Sequence, residues 1–241
     1  SIVRGYGIFD FLKTVDNHPV FLEDNLDRFF LSAEQMGLSV PFSREQIREQ
    51  INTLMLENKI PNSGIKLLLT GGYSSDGYSI ATPNLIITQS EIGRSLSEKT
   101  GMRLITFPYH RPLSSVKSID YVMGIKAMKK AKELGADDVV YVQNDILSEC
   151  PRANIFLIDK NGTLLTPNND VLHGITRKYV LALAKNVCQV ETREVTLTDM
   201  KEATEAFITS DEITFGTAPG PITIRLQEAL EELIFKNFGV L

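Results

Sequence analysis

With 241 residues, 43% of them hydrophobic and 23% charged, the chain is long enough for one large or two modest domains with a real core, and its ordinary composition excludes a fibrous or disordered protein. The 25 Lys and Arg set against 30 Asp and Glu leave a net charge of −5 without a block of like charges, so the basic surface of a nucleic-acid binder is not evident. Cys150 and Cys188 form no ligand cluster with His18, His110 and His173, which leaves no metal site or disulfide scaffold to expect; no apolar run approaches the roughly eighteen residues of a membrane span and no basic-then-apolar leader opens the sequence, so a cytoplasmic protein is expected.

Gly7 to Lys13 and Pro19 to Leu22 read as short strands joined by the turn-rich Val15-Asp16-Asn17-His18. Leu22-Glu23-Asp24-Asn25 offers capping residues for a helix in which Leu26, Phe29, Phe30, Ala33 and Met36 recur at helical spacing, with Gly37 closing it. Ser43 followed by Gln46 has the form of a capping box and predicts a second helix to about Asn58. Ile65 to Thr70 and Asn84 to Thr88 are rich in β-formers, and Gly71 to Gly77 between them is either a plain hairpin connection or a substrate-facing loop.

Met102 to Phe107 is a further strand, and Pro108 to Pro112, with two prolines, His110 and Arg111, reads as an interdomain connection. The expected division is an N-terminal α/β domain over 1–107, a linker over 108–115 and a C-terminal domain over 116–241 that carries Lys117. The second half predicts a helix over Tyr121 to Leu134, strands over Asp138 to Gln143 and Asn154 to Asp159, a turn at Lys160-Asn161-Gly162, a helix over Arg177 to Val187 and a strand over Gln189 to Glu194. A helix over Leu197 to Glu202, a strand over Ala206 to Thr209 and a helix over Ile222 to Phe238 complete it. This mixed order favours two α/β or α+β domains.

Two stretches carry chemistry: Ser115-Val116-Lys117-Ser118-Ile119-Asp120 offers an amine able to form an imine, and Leu147 through Phe156 offers the carboxylate of Glu149. Taken alone, Lys117 is a solvated surface charge and Glu149 a strand-end acid. Other stretches stand with them in a fixed order: Arg4-Gly5-Tyr6-Gly7-Ile8-Phe9-Asp10, Leu26-Asp27-Arg28-Phe29 with Ser32-Ala33, Gly174-Ile175-Thr176-Arg177, and Phe207-Ile208-Thr209-Ser210. In this order and at these spacings the set resembles the fold-type IV (class IV) pyridoxal-phosphate aminotransferases, over essentially the whole chain.

That resemblance implies a two-domain α+β, α/β fold of the D-amino-acid-transaminase type, pyridoxal 5′-phosphate as cofactor, and a homodimer with each active site between two domains and closed by a loop of the partner. It matches Lys117 to the Schiff-base lysine, both nucleophile and general base. Glu149 is matched to the carboxylate that pairs with the pyridine nitrogen and improves the ring as an electron sink, and Arg28 to a bidentate phosphate ligand. Gly174-Ile175-Thr176 falls at a predicted helix start, where free N–H groups and the dipole favour an anion, with the Thr176 hydroxyl as a further donor or simply a cap. Leu172 is matched to the apolar residue packed on the ring, and Asn154, Ile175 and Ser210 complete the implied cofactor set.

For the substrate, the family's D-transaminases carry an Arg-x-His in the loop that corresponds to Thr70 to Tyr78, which has neither residue, and a tyrosine where this chain has Phe9. Arg4 and Arg152 are the cations left to bind a substrate carboxylate, Arg152 being the sharper choice because its motif position aims it at the cofactor. Gly71 to Ser79 is similar to the glycine-rich loop of aminodeoxychorismate lyases, and the glycine run that follows the catalytic lysine of branched-chain aminotransferases is absent. The implied ranking is a D-amino-acid transaminase using a 2-oxo acid such as 2-oxoglutarate or pyruvate, then 4-amino-4-deoxychorismate lyase, then branched-chain aminotransferase, with a catalytically silent binding module as the non-enzymatic alternative. The family pattern also continues Ser210 with a further hydroxyl donor, whereas here Asp211 follows at once. A carboxylate there would repel a phosphate, so this seam, like the start at Ser1, reads as a segment missing from the sequence.

Overall fold

Asp16 and Asn17, both with positive φ (48° and 64°), turn the chain between two antiparallel strands; only Gly, Asn and Asp enter this left-handed region at low cost, and a turn with positive φ at both central residues matches the natural twist of a hairpin. The computed structural model describes residues 4–92, 101–210, 212–216 and 218–238. The chain divides into two units, the first comprising Ser1–Ser95, Val116–Asp120 and Ile234–Leu241, the second Leu96–Ser115 and Tyr121–Leu233.

The first unit runs β1 (Gly7–Val15), β2 (His18–Pro19), α1 (Leu22–Gln35), α2 (Arg44–Asn58), β3 (Ser63–Thr70) and β4 (Asn84–Glu91), in one antiparallel sheet of order β2-β1-β3-β4. Alternation along β1 turns Ile8, Leu12 and Thr14 inward, and the core there joins Ile8 and Leu12 to Leu26, Phe29 and Ala33 of α1, Ile47 and Ile51 of α2, and Ile65, Leu67 and Leu69 of β3. Ser43 and Gln46 make the expected reciprocal capping box at the start of α2. The start of α1 differs from expectation: its N-cap is Phe21 (φ 53°) without a side-chain cap bond, and Asn25 is buried, its amide donating back to the Phe21 carbonyl at 2.8 Å. An inward-facing amide buried to this degree needs partners inside the protein, so it serves the core rather than the cap.

The second unit runs β5 (Leu104–Pro108), α3 (Val122–Glu133), β6 (Asp138–Gln143), β7 (Ile146–Leu147), β8 (Asn154–Ile158), β9 (Leu164–Pro167), α4 (Ile175–Ala184), β10 (Val190–Arg193), β11 (Val195–Thr196), α5 (Leu197–Glu202), β12 (Glu205–Thr209), β13 (Ile213–Phe215) and α6 (Pro221–Phe238), the last helix counting with this unit up to Leu233. It holds a five-stranded sheet of order β10-β9-β8-β12-β13 and a four-stranded sheet of order β11-β7-β6-β5.

These units correct a single cut of the chain near residue 107. β5 pairs parallel with β6, Leu104 opposite Asp138, and so belongs with the second unit. The Lys117 segment belongs with the first, not with the C-terminal half: Phe9 N donates to the Lys117 carbonyl and Ile119 N to the Gly7 carbonyl, each at 3.0 Å, and Val116 is buried in the first core. At the shortened seam, β12 and β13 pair directly, Thr209 opposite Ile213, and Ser210 N donates to the Glu212 carbonyl at 3.1 Å. Asp211, which carried the expected repulsion, lies outside the described residues, as do residues 1–3.

Candidate active site

In the first unit Lys117 is half-buried. Its backbone N donates to Ser32 Oγ at 3.3 Å, and its Nζ stands 4.7 Å from the centre of the Phe9 ring, a cation–π contact worth roughly 0.5–2 kcal/mol. Phe9 and Asp10 are neighbours on β1, so their side chains point to opposite faces. Asp10 is the inward one, with no exposed surface. Arg28 answers it with a bidentate fork, Nε to Oδ2 at 2.9 Å and Nη2 to Oδ1 at 2.7 Å, and Phe11 N also donates to Oδ1. Nη2 reaches Asn25 Oδ1 at 3.3 Å, while Nη1 has no partner among the described residues.

The sequence reading placed Arg28 but missed Asp10; the available signal was a carboxylate on the apolar face of an alternating strand, which demands a cation. Arg4 is exposed, its guanidinium 5.9 Å from the ring centre of Tyr78. The loop that carries Tyr78 is built around Asp76, whose carboxylate accepts from Ser79 Oγ and from the backbone N of Tyr78 and Ser79. Those bonds hold the Asp76 carboxyl well below the usual carboxylate range.

In the second unit Glu149 is 4% exposed. Arg111 Nε donates to its Oε1 at 2.7 Å, and Leu172 N donates to its Oε2 at 2.8 Å. Asn154 Nδ2 in turn donates to the Leu172 carbonyl at 2.8 Å, so Leu172 is gripped at both its backbone groups. A Cβ on Gly174 would come within 2.4 Å of Asn154 Oδ1, and this close approach is why the position takes glycine.

Gly174 is the N-cap of α4 and brings no side chain to cap it, so the first N–H groups of that helix, at Ile175 and Thr176, are left to bind something else. Close by in chain and register are two buried polar atoms without a hydrogen-bond partner, Arg177 Nε and Thr209 Oγ1; Thr209 pairs with Asn154 across the β12–β8 ladder. Arg177 is 6% exposed, donates once from Nη2 to the Pro167 carbonyl at 2.9 Å, and burial pushes its pKa down. An unmet buried polar group costs about 1–3 kcal/mol, so an uncapped helix start beside a buried cation and a buried hydroxyl suits a phosphate-bearing ligand.

Among the residues expected from sequence, Glu149, Asn154 and Leu172 are joined by hydrogen bonds, and Ile175 and Thr176 open α4. Ser210 is exposed, whereas Thr209 before it carries the buried, unmet hydroxyl; strand parity is the signal that distinguishes them. Arg152 is exposed. Burial pushes the Asp138 carboxyl up, and the charge of Arg152 opposes that rise. Arg111, Thr209 and Arg177 were not singled out as site residues.

The model of the class IV amino-transferase family matches residues 7–211, and the chain belongs to that family. It is 29% identical to a D-alanine aminotransferase of Listeria monocytogenes over 265 aligned residues, covering 99% of this chain and 91% of that one. It is 31% identical to a provisionally named branched-chain-amino-acid aminotransferase of Rickettsia typhi over 208 residues, 82% of this chain and 72% of the relative. Among solved structures, a provisionally named 4-amino-4-deoxychorismate lyase of Legionella pneumophila has a TM-score of 0.87 at 26% identity, covering 96% of this chain and 92% of that one. The fold is that of the fold-type IV enzymes, as the motifs implied, and the protein is a pyridoxal-phosphate-dependent aminotransferase acting on amino and 2-oxo acids.

Proposed function

We propose that the protein moves an amino group between a D-amino acid and a 2-oxo acid such as 2-oxoglutarate or pyruvate. The observation that carries this reading is the similarity to a D-alanine aminotransferase along 99% of the chain. Lys117 followed directly by Ser118-Ile119-Asp120-Tyr121 agrees with it.

In this reading Lys117 Nζ would hold the cofactor covalently and, once released by the substrate amine, would act as the base that moves the proton at the substrate α-carbon. Pyridoxal 5′-phosphate, when bound, supplies the electron sink that lets that proton leave. Glu149 accepts from the ring nitrogen, Leu172 packs on the ring, and Asn154 holds Leu172 in place. The N–H groups of Ile175 and Thr176, the hydroxyls of Thr209 and Ser210, and Arg28 through its remaining Nη1 hold the phosphate. Arg4 and Arg152 receive the substrate carboxylate, and Phe9 lines the site.

The test is to incubate the holoenzyme with D-alanine and 2-oxoglutarate, with L-leucine and 2-oxoglutarate, and with aminodeoxychorismate. Pyruvate and glutamate form in the first mixture if the reading is right, and the third stays unconsumed. A second reading, lyase, is favoured by two observations: the loop 71–79 lacks the Arg-x-His of D-transaminases, and the Legionella structure provisionally named as a lyase is similar over 96% of the chain. Loss of aminodeoxychorismate with no transamination of D-alanine would select it.

The family resemblance also supports a cytoplasmic homodimer, and the two free thiols, Cys150 and Cys188, agree with a reducing compartment. Light scattering should then give twice the 26.9 kDa chain mass; an active species of single mass would overturn the dimer.

A further inference from the structure

The segment 108–115, expected to be no more than a connection, carries a residue that reaches into the candidate site. Arg111 spends one nitrogen on Glu149, Nε to Oε1 at 2.7 Å, and another on the carbonyl of Ser114, just ahead of Lys117 in the chain. Its side chain is 16% exposed and that of Glu149 5%, so the bond forms where water screens it little. We propose that Arg111 is the positioning residue that keeps Glu149 ionised and turned toward the cofactor ring, a proposal that rests on reading Glu149 as the ring's carboxylate.

The physical case begins with burial. A carboxylate with 4% of its surface exposed is pushed toward its neutral form by desolvation, by several pKa units when nothing offsets it. The groups around it do not all help. Tyr141 is buried, its phenol pushed above the usual range by burial, by Tyr109 and by Glu149. Cys150, next in the chain, is a fully buried thiol that burial pushes up, with Asp138 and Glu149 adding to the shift. Both stay neutral near neutral pH, and Asp138 is acidic, so none of the three supplies positive charge. Leu172 N supplies one neutral hydrogen bond to Oε2, and the Arg111 guanidinium supplies a charge-assisted one to Oε1. The hold on Ser114 fixes the guanidinium from behind.

The sign of the expected effect follows from the acid. Without Arg111 the pKa of Glu149 rises, so the carboxyl becomes neutral as the pH falls through the working range, and the ring nitrogen loses its charged partner on the acid side. With Arg111 in place the carboxylate persists throughout.

The experiment measures the dissociation constant of pyridoxal 5′-phosphate by absorbance, for wild type and for R111M, R111K and E149Q stripped of cofactor, from about pH 5.5 to about pH 8.5. The ratio of variant to wild-type constants cancels the titration of Lys117 and of the phosphate. For R111M the ratio should rise about tenfold or more toward the acid end; for R111K it should stay flat, because the charge is kept; for E149Q it should be raised and flat. A flat R111M ratio beside a raised E149Q ratio means that Arg111 only supports the fold, which overturns the proposal. Wild-type constants for both R111M and E149Q would instead remove Glu149 as the ring's carboxylate and the proposal with it. Should R111M fail to fold, R111M/E149Q stands in, since it leaves no unpaired buried charge: a ratio equal to that of E149Q supports action through Glu149, and a larger one overturns it.

Discussion

Alanine at position 117 is expected to abolish turnover, by a factor of about 10⁴ or more, because nucleophile and general base are lost together. No other lysine is set up to replace it: Lys126, Lys129, Lys130 and Lys132 project from α3 into solvent. The fold should persist, since the segment is held by backbone groups, through the bonds of Phe9 to the Lys117 carbonyl and of Ile119 to Gly7, and by buried Val116. The contact of Nζ with the Phe9 ring disappears, a loss of roughly 0.5–2 kcal/mol. Borohydride reduction of the holoenzyme followed by peptide mass analysis should find the pyridoxyl group on the peptide containing Lys117 in wild type and nowhere in K117A. Wild-type turnover in K117A would sink the assignment of the lysine.

Arg28→Ala should cost far more than cofactor affinity. Read from the sequence as a phosphate ligand alone, Arg28 predicts a change that removes one contact worth roughly 1.5–3 kcal/mol and leaves the fold largely intact. The structure corrects that expectation, because Arg28 is also the counter-ion of Asp10, which has no exposed surface. Removing one partner of a buried pair leaves an uncompensated charge, a loss of about 3–5 kcal/mol. Urea unfolding of the cofactor-free protein should therefore show R28A with a much lower midpoint, R28K between it and wild type because lysine keeps the charge and loses the fork, and R28A/D10N recovering most of the loss. An R28A midpoint equal to that of wild type would show that the pair contributes nothing.

What could be read from the letters and what could not divides by distance along the chain. The capping box of Ser43 and Gln46, the Asp16-Asn17 turn, the close of α1 at Gly37 and the periodicity of α1 and α3 all act within one or two turns of backbone. Short-range physics therefore places them without a partner. The candidate motifs stood out for a related reason: Lys117, Glu149 and Gly174-Ile175-Thr176 each lie in a short run of adjacent residues that can be read without a distant partner. The two-residue strands β7 and β11 and the three-residue β13 escaped, because such short segments have no pattern of their own and exist only where a neighbouring strand accepts their hydrogen bonds.

The sequence by itself determined the family, the cofactor and most of the helices. Tertiary structure alone decided that β5 belongs beside β6, that the Lys117 segment lies along β1, and that the hydroxyl left unmet is that of Thr209 rather than Ser210. It also decided the ion pairs. Asp10 meets Arg28 across 18 residues, and Glu149 meets Arg111 across 38. Neither pair follows from spacing, because a buried charge accepts whichever opposite charge the closed chain brings within reach, and nothing local to either residue says which one that is.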